Sequence, residues 1–150
     1  MAYIEINKGK KIILGSNSPR RKQLLHDAGI NFQIRAFPTN ENYPLKLKGS
    51  EITEYLVKKK AQEFKGVKGD EIIITADTIV WAQNEHLGKP NNITEAKKFL
   101  ETLSNMKHEV ITSVCFTEKE KQTIISESTF VLFKKLSISE INFYLNNFDF

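Results

Sequence analysis

The alternation of strand and helix periods along this chain predicts a mixed α/β domain. Three observations carry that expectation. The apolar run Ile12-Ile13-Leu14-Gly15, read as a buried strand over 11–14, is followed by a helical pattern at 19–28, and residues 71–75 form a continuous β-branched run of the kind covered on both faces of a sheet. The two periods then keep exchanging toward the C-terminus, with no repeat, low-complexity tract or linker between them. Pro19 suits the first helical position, where its missing N–H costs nothing, and Gly29 closes that helix. Residues 32–37 alternate as a second strand. Two prolines among Asn and Lys make 38–49 a loop, after which Ser50 is expected to cap a helix reaching Phe64 and ended by Gly66 and Gly69. Residues 79–82 continue or restart the strand of 71–75, and Asn84-Glu85 reads as a hairpin turn. Thr94 is expected to cap a helix at 95–103 with Ala96, Phe99, Leu100 and Leu103 on one face. Strands at 109–117 and 123–133 follow, joined by the charged turn 118–121, and a last amphipathic helix starts at Ser139 with Ile141, Tyr144 and Leu145 apolar.

At 150 residues, with 40% hydrophobic side chains and ten Phe, the chain is one domain's worth with a real core. The net charge of +4 is mild and its lysines are spread along the chain, so no specific nucleic-acid surface is indicated. Cys115 is the single cysteine and can form no internal disulfide, which suits a reducing compartment and a buried thiol. Met1 to Glu5 opens no apolar leader and no stretch approaches eighteen apolar residues, so a cytoplasmic protein without a membrane partner is expected.

Chemistry concentrates in three places. Ser16-Asn17-Ser18-Pro19-Arg20-Arg21 puts hydroxyls and two guanidinium forks at a helix start, where free backbone donors and the helix dipole favour a phosphate or carboxylate. The alternative is an ordinary start capped by Ser18, with the arginines solvated. Asp77, in Ala76-Asp77-Thr78, stands at the end of the apolar run 72–75. There a carboxylate can hold a divalent metal or take a proton from water, or simply bond its own turn. In Gly88-Lys89-Pro90 the lysine can neutralise a phosphate or be a plain loop residue. Glu41 in the 38–49 loop and Lys60 in the second helix are not distinctive alone. His108 reads as a local hydrogen-bonding residue, and the three histidines lack metal-site spacing.

Ser16-Asn17-Ser18-Pro19-Arg20-Arg21, Ala76-Asp77-Thr78-Ile79-Val80, Gly88-Lys89-Pro90 and His108-Glu109-Val110-Ile111-Thr112-Ser113-Val114, in this order and spacing, resemble the Maf family of nucleoside triphosphate pyrophosphatases. The resemblance runs from about residue 11 to about 145. It implies a mixed twisted sheet with flanking helices in two lobes around a cleft, related to the inosine triphosphate pyrophosphatase fold. It also implies hydrolysis of a pyrimidine or non-canonical nucleoside triphosphate to the monophosphate and pyrophosphate, with a divalent metal, Mg²⁺ or Mn²⁺. The paired arginines resemble the dTTP/UTP branch. Residue by residue, it implies Asp77 as proton acceptor, and Ser16, Arg20, Arg21, Lys60 and Lys89 on the triphosphate. Glu41 and Asp77 would hold the metal, and Arg20 and Thr78 would shape base selectivity.

Relatives in that family continue beyond the last helix into a Lys-Ala-Gly-Ala-Tyr-Gly-Ile-Gln segment, whereas this sequence ends at Asn146-Asn147-Phe148-Asp149-Phe150. An unpaired sheet edge and association as a homodimer are therefore expected. Besides the metal-dependent pyrophosphatase, a catalytically weak nucleotide-binding protein acting in septum formation is the second reading that the resemblance allows.

Overall fold

The computed structural model describes residues 9–149; the N-terminal stretch from Met1 to Glu5, read above for a leader, lies outside them. Among the described residues are ten elements: β1 (Lys11–Leu14), α1 (Pro19–Asp27), β2 (Phe32–Ile34), α2 (Ser50–Ala61), β3 (Glu71–Ala82), β4 (Glu85–Leu87), α3 (Ile93–Leu103), β5 (Lys107–Thr117), β6 (Gln122–Leu132) and α4 (Ile138–Asn147). The strands form one mixed sheet of order β2-β1-β3-β5-β6, with β4 paired to β3. β1 lies parallel to both β2 and β3, in registers that end at Leu14 opposite Ile34 and Ile74, and β3 turns back antiparallel onto β4. The mixed α/β class stands as expected.

Two compact units divide the chain. The first runs to Asp77 and adds Thr112–Ser126; the second is Thr78–Ile111 with the residues from Glu127 onward. In the first unit, Ile12, Ile13 and Leu14 of β1, Ile73 of β3 and Ile52, Leu56, Val57 and Ala61 of α2 are buried, and Val57 and Ala61 pack with Cys115 and Ile124. Each large aliphatic removed from water contributes about 1.5–3 kcal/mol. In the second unit, Ala96, Ile141 and Leu145 form the core, with Leu100 and Leu136 against them.

Several boundaries differ from expectation, each for a local reason. β2 stops at Ile34, leaving Phe37 to pack edge-on against Phe64 with ring centres 4.9 Å apart. α2 ends at Ala61, and its cap position is Gly49 at φ 53°, so Ser50 is already helical and its carbonyl accepts from Thr53 Oγ1. Asn92, not Thr94, caps α3 by accepting from the Glu95 N–H at 2.9 Å. Ser137 and Glu140 close a reciprocal capping box that starts α4. The hairpin between β3 and β4 turns at Gln83-Asn84, one residue earlier than expected, with both residues at positive φ, the geometry that matches strand twist in a two-residue loop. α1 buries none of its residues, and Leu24 of its apolar pattern is exposed.

Candidate active site

β3 is one continuous strand, so Asp77 is not at a strand's end as its local sequence suggested. What ends near it is β1. The parallel ladder closes at Leu14 opposite Ile74, and the Gly15 N–H makes one last bond to the Ile74 carbonyl at 2.8 Å. Beyond that point β3 carries Thr75, Ala76 and Asp77 on while the chain after β1 turns away into α1, which is how a parallel sheet opens a ligand site at the carboxyl ends of its strands. The turn requires Gly15. A Cβ there would stand 2.9 Å from the Phe64 ring and 3.0 Å from the Thr75 methyl.

Ser18 occupies the cap position of α1 but makes no side-chain cap bond. Ser16 organises the turn instead. Its buried hydroxyl oxygen accepts from the Ser18 N–H at 3.2 Å and from Arg21 Nη1 at 3.2 Å. Those two bonds use both lone pairs, which leaves the hydroxyl proton to donate to an incoming acceptor. Arg21 is thereby fixed toward the carboxylates, while Arg20 beside it is exposed. Burial lowers the pKa of Arg21 from its ordinary value, and the charges of Asp77 and Glu41 act against that shift.

Lys60, in the last turn of α2, joins two acids. Its ammonium is 2.7 Å from Asp77 Oδ1 and 3.1 Å from Glu41 Oε1. Glu41 belongs to the long 38–49 loop, which is held to α2 by a second lysine: Lys59 Nζ donates to the Asn42 carbonyl at 2.9 Å, and the Asn40 side chain accepts from the Asn42 N–H at 2.7 Å. Asp77 is buried, and that desolvation raises its pKa above the ordinary aspartate value; the Lys60 hydrogen bond and charge pull it back, Glu41 pushes it further up and Arg21 opposes. The result is a carboxylate whose proton affinity is closer to that of a working base than a solvated aspartate's.

The structure therefore brings Ser16 to Arg21, and Glu41 and Asp77 to Lys60, with the Arg21 charge felt by both acids. Thr78, exposed on β3, and Lys89, exposed after β4, belong to the second unit. Among the described residues no three His, Cys, Asp or Glu side chains gather as a metal cluster. His108 is buried edge-on against Phe133 at 4.9 Å, and its Nδ1 has no hydrogen-bond partner among the described residues, so the expected local bonding is not met at that atom.

One contributor escaped the sequence reading. Thr75, fully buried two residues before Asp77, donates its hydroxyl to the Val57 carbonyl at 2.9 Å and rests its methyl against Gly15. It ties α2, three residues before Lys60, to the strand that bears Asp77. The available signal was a hydroxyl closing the aliphatic run Ile72-Ile73-Ile74.

Comparison with known proteins places these groups in context. The family model for Maf-like proteins matches residues 11–149. A dTTP/UTP pyrophosphatase of Flavobacterium johnsoniae is 46% identical over 142 residues, covering 94% of this chain and 73% of that protein. One of Cytophaga hutchinsonii is 50% identical over 136 residues, covering 91% of this chain and 62% of that protein. Among solved structures, the Staphylococcus aureus Ham1 protein superposes with a TM-score of 0.54 at 11% identity, covering 82% of this chain and 71% of that one, which is a likeness of fold alone. A family match spanning nearly every described residue, with relatives of this identity, means that the chain belongs to the Maf-like family.

Proposed function

We propose that the chain is a nucleoside triphosphate pyrophosphatase acting on dTTP and UTP, releasing the monophosphate and pyrophosphate. The observation that carries this reading is the buried Asp77 held by Lys60 beside Glu41 and within the field of Arg21, at the point where the β1–β3 ladder opens. The named activity of the relatives supports it.

In this reading Asp77 accepts a proton from the attacking water as the water oxygen bonds to phosphorus and the anhydride oxygen leaves with pyrophosphate. Ser16, Arg21 and Lys60 bind triphosphate oxygens, the guanidinium by its planar fork, with Arg20 and Lys89 adding charge. Arg20 and Thr78 bias the choice of base. Glu41 and Asp77 already share one cation, the Lys60 ammonium, and as two hard carboxylates they would hold a divalent ion. Such an ion, Mg²⁺ or Mn²⁺, supplies charge neutralisation on the leaving pyrophosphate when bound. A homodimer paired through β6, the last strand of the sheet order, belongs to the same proposal: Ile125, Phe130 and Leu132 are exposed along it.

The direct test is pyrophosphate release from a panel of common and modified triphosphates with Mg²⁺ or Mn²⁺. Preferential release from UTP and dTTP is expected. Binding of these nucleotides without release would overturn the catalytic reading.

A further inference from the structure

Lys60 bonds both acids of the proposed metal pair at once, 2.7 Å from Asp77 and 3.1 Å from Glu41, with its side chain only 17% exposed. The ammonium lies between the buried Asp77 carboxylate and the Glu41 carboxylate, whose side chain is 66% exposed. We infer that Lys60 is a resident cation that fills the Glu41–Asp77 pair in the nucleotide-free protein, so that a divalent ion enters only when a triphosphate draws the ammonium away. This inference rests on the proposed reading of Glu41 and Asp77 as metal ligands.

The argument is one of charge. Two carboxylates facing one another in a partly buried site repel, and the ammonium between them offsets that repulsion. A divalent ion bound to the same acids would stand against a positive charge beside the buried Asp77, where water screens less than at the surface. Protein carboxylates therefore cannot hold both cations well. A triphosphate changes the balance, because it offers the ammonium new anionic oxygens and offers the ion additional ligands. Lysine is the residue type that can make this exchange, being a compact charge on a flexible stem with rotatable donors. Arg21, bonded to Ser16, has no comparable freedom. Metal and nucleotide should then bind with positive coupling, each raising the affinity for the other.

Mn²⁺ binding followed by electron paramagnetic resonance or calorimetry tests this without reference to turnover. The wild-type protein should bind Mn²⁺ weakly, and Lys60→Met and Lys60→Gln should each bind it about tenfold more tightly or better, a gain lost again when Glu41→Gln is added. A non-hydrolysable UTP analogue should tighten Mn²⁺ binding to the wild type beyond what the free analogue accounts for, and should do so less in the Lys60 variants. Equal Mn²⁺ affinity in wild type and both variants would overturn the inference. If neither variant folds, the wild-type protein decides: absence of coupling between Mn²⁺ and the analogue overturns it equally. Pyrophosphate release from UTP is scored separately. Release without a gain of Mn²⁺ affinity in the variants removes the role assigned to Lys60 and leaves the enzymatic reading standing, and a gain without release does the reverse.

Discussion

Asp77 combines a buried position with a charged partner, and the two pull its protonation in opposite directions. As a base it works only when ionised, so activity should rise with pH through its pKa, and burial puts that acid limb above the ordinary aspartate range. Asp77→Asn should lower turnover by about 10²- to 10⁴-fold. The fold should survive, because an amide of the same shape removes a carboxylate whose charge burial disfavours. For a group whose folded pKa is raised, the stabilising contribution is present below the unfolded pKa and lost as pH rises through the folded one. At neutral pH relief of that burial offsets the ion pair that Lys60 loses, Glu41 remaining its partner, so the Asn variant should still fold cooperatively, and a failure to fold would show that Asp77 is structural. Thr75 offers a complementary experiment. Thr75→Val keeps shape but removes the hydroxyl's bond to the Val57 carbonyl, which keeps its helical partner, at a cost of about 0.5–1.5 kcal/mol. Thr75→Ser keeps the hydroxyl and gives up the methyl on Gly15. If Thr75 positions Lys60 against Asp77, the acid limb of the pH profile should move in the Val variant and stay in place in the Ser variant, whereas a purely structural role would change stability alone.

At the scale of elements, helix ends follow from single side chains. Ser137→Ala removes the hydroxyl half of the α4 capping box and should cost about 1 kcal/mol in urea unfolding. The Lys134 hydrogen bond, first, and the backbone N–H of Ser137 hold the Glu140 carboxyl below its ordinary pKa. A carboxyl with a depressed folded pKa contributes stability above its unfolded pKa and loses it as pH falls through the folded one, so the box should weaken only below the usual carboxylate range. Such ends are also where the sequence was least legible. Nine of the ten elements could be located from period and punctuation, because burial imposes the period wherever a face is covered, while the three-residue β4 was signalled only by the turn before it. The choice of Asn92 over Thr94, or of Gly49 over Ser50, depends on which backbone N–H a side chain or turn happens to face, and that is decided after the chain has turned. The site was legible in unequal parts. The helix-start cluster of Ser16 and Arg21 is local and could be read directly. Glu41, Lys60 and Asp77 come from a loop, a helix and a strand, and only the family resemblance joined them before the structure brought Lys60 to both acids. Thr75 was silent because a threonine in a strand is ordinary until its helix partner is known.

The whole molecule presents β6 at the end of its sheet order with Ile125, Phe130 and Leu132 exposed and Lys107 over the Phe130 ring at 4.3 Å. An edge with so little charge favours pairing with another chain. Sedimentation at micromolar concentration should give a dimer, and a monomer that binds no apolar dye would exclude that association. No described helix is long and apolar enough to cross a membrane.

Cys115 makes the protein its own stopwatch. The chain's single thiol is fully enclosed with Val57, Ala61 and Ile124, in the unit that also carries Asp77 and Lys60. A thiol reagent can reach it only when that core opens, so the rate of colour development with an aromatic disulfide counts openings without any attached label. A ligand that binds the closed form makes openings rarer by one plus the ratio of its free concentration to its dissociation constant. At about 100 times its dissociation constant it stabilises by about 2.7 kcal/mol, a roughly hundredfold slower reaction when modification tracks the open population. Slowing by UTP or dTTP in the Asp77→Asn protein, where turnover no longer consumes the nucleotide, would report binding at this unit through a single sulfur atom. Unchanged labelling at saturating nucleotide would place the binding energy somewhere that this core does not feel.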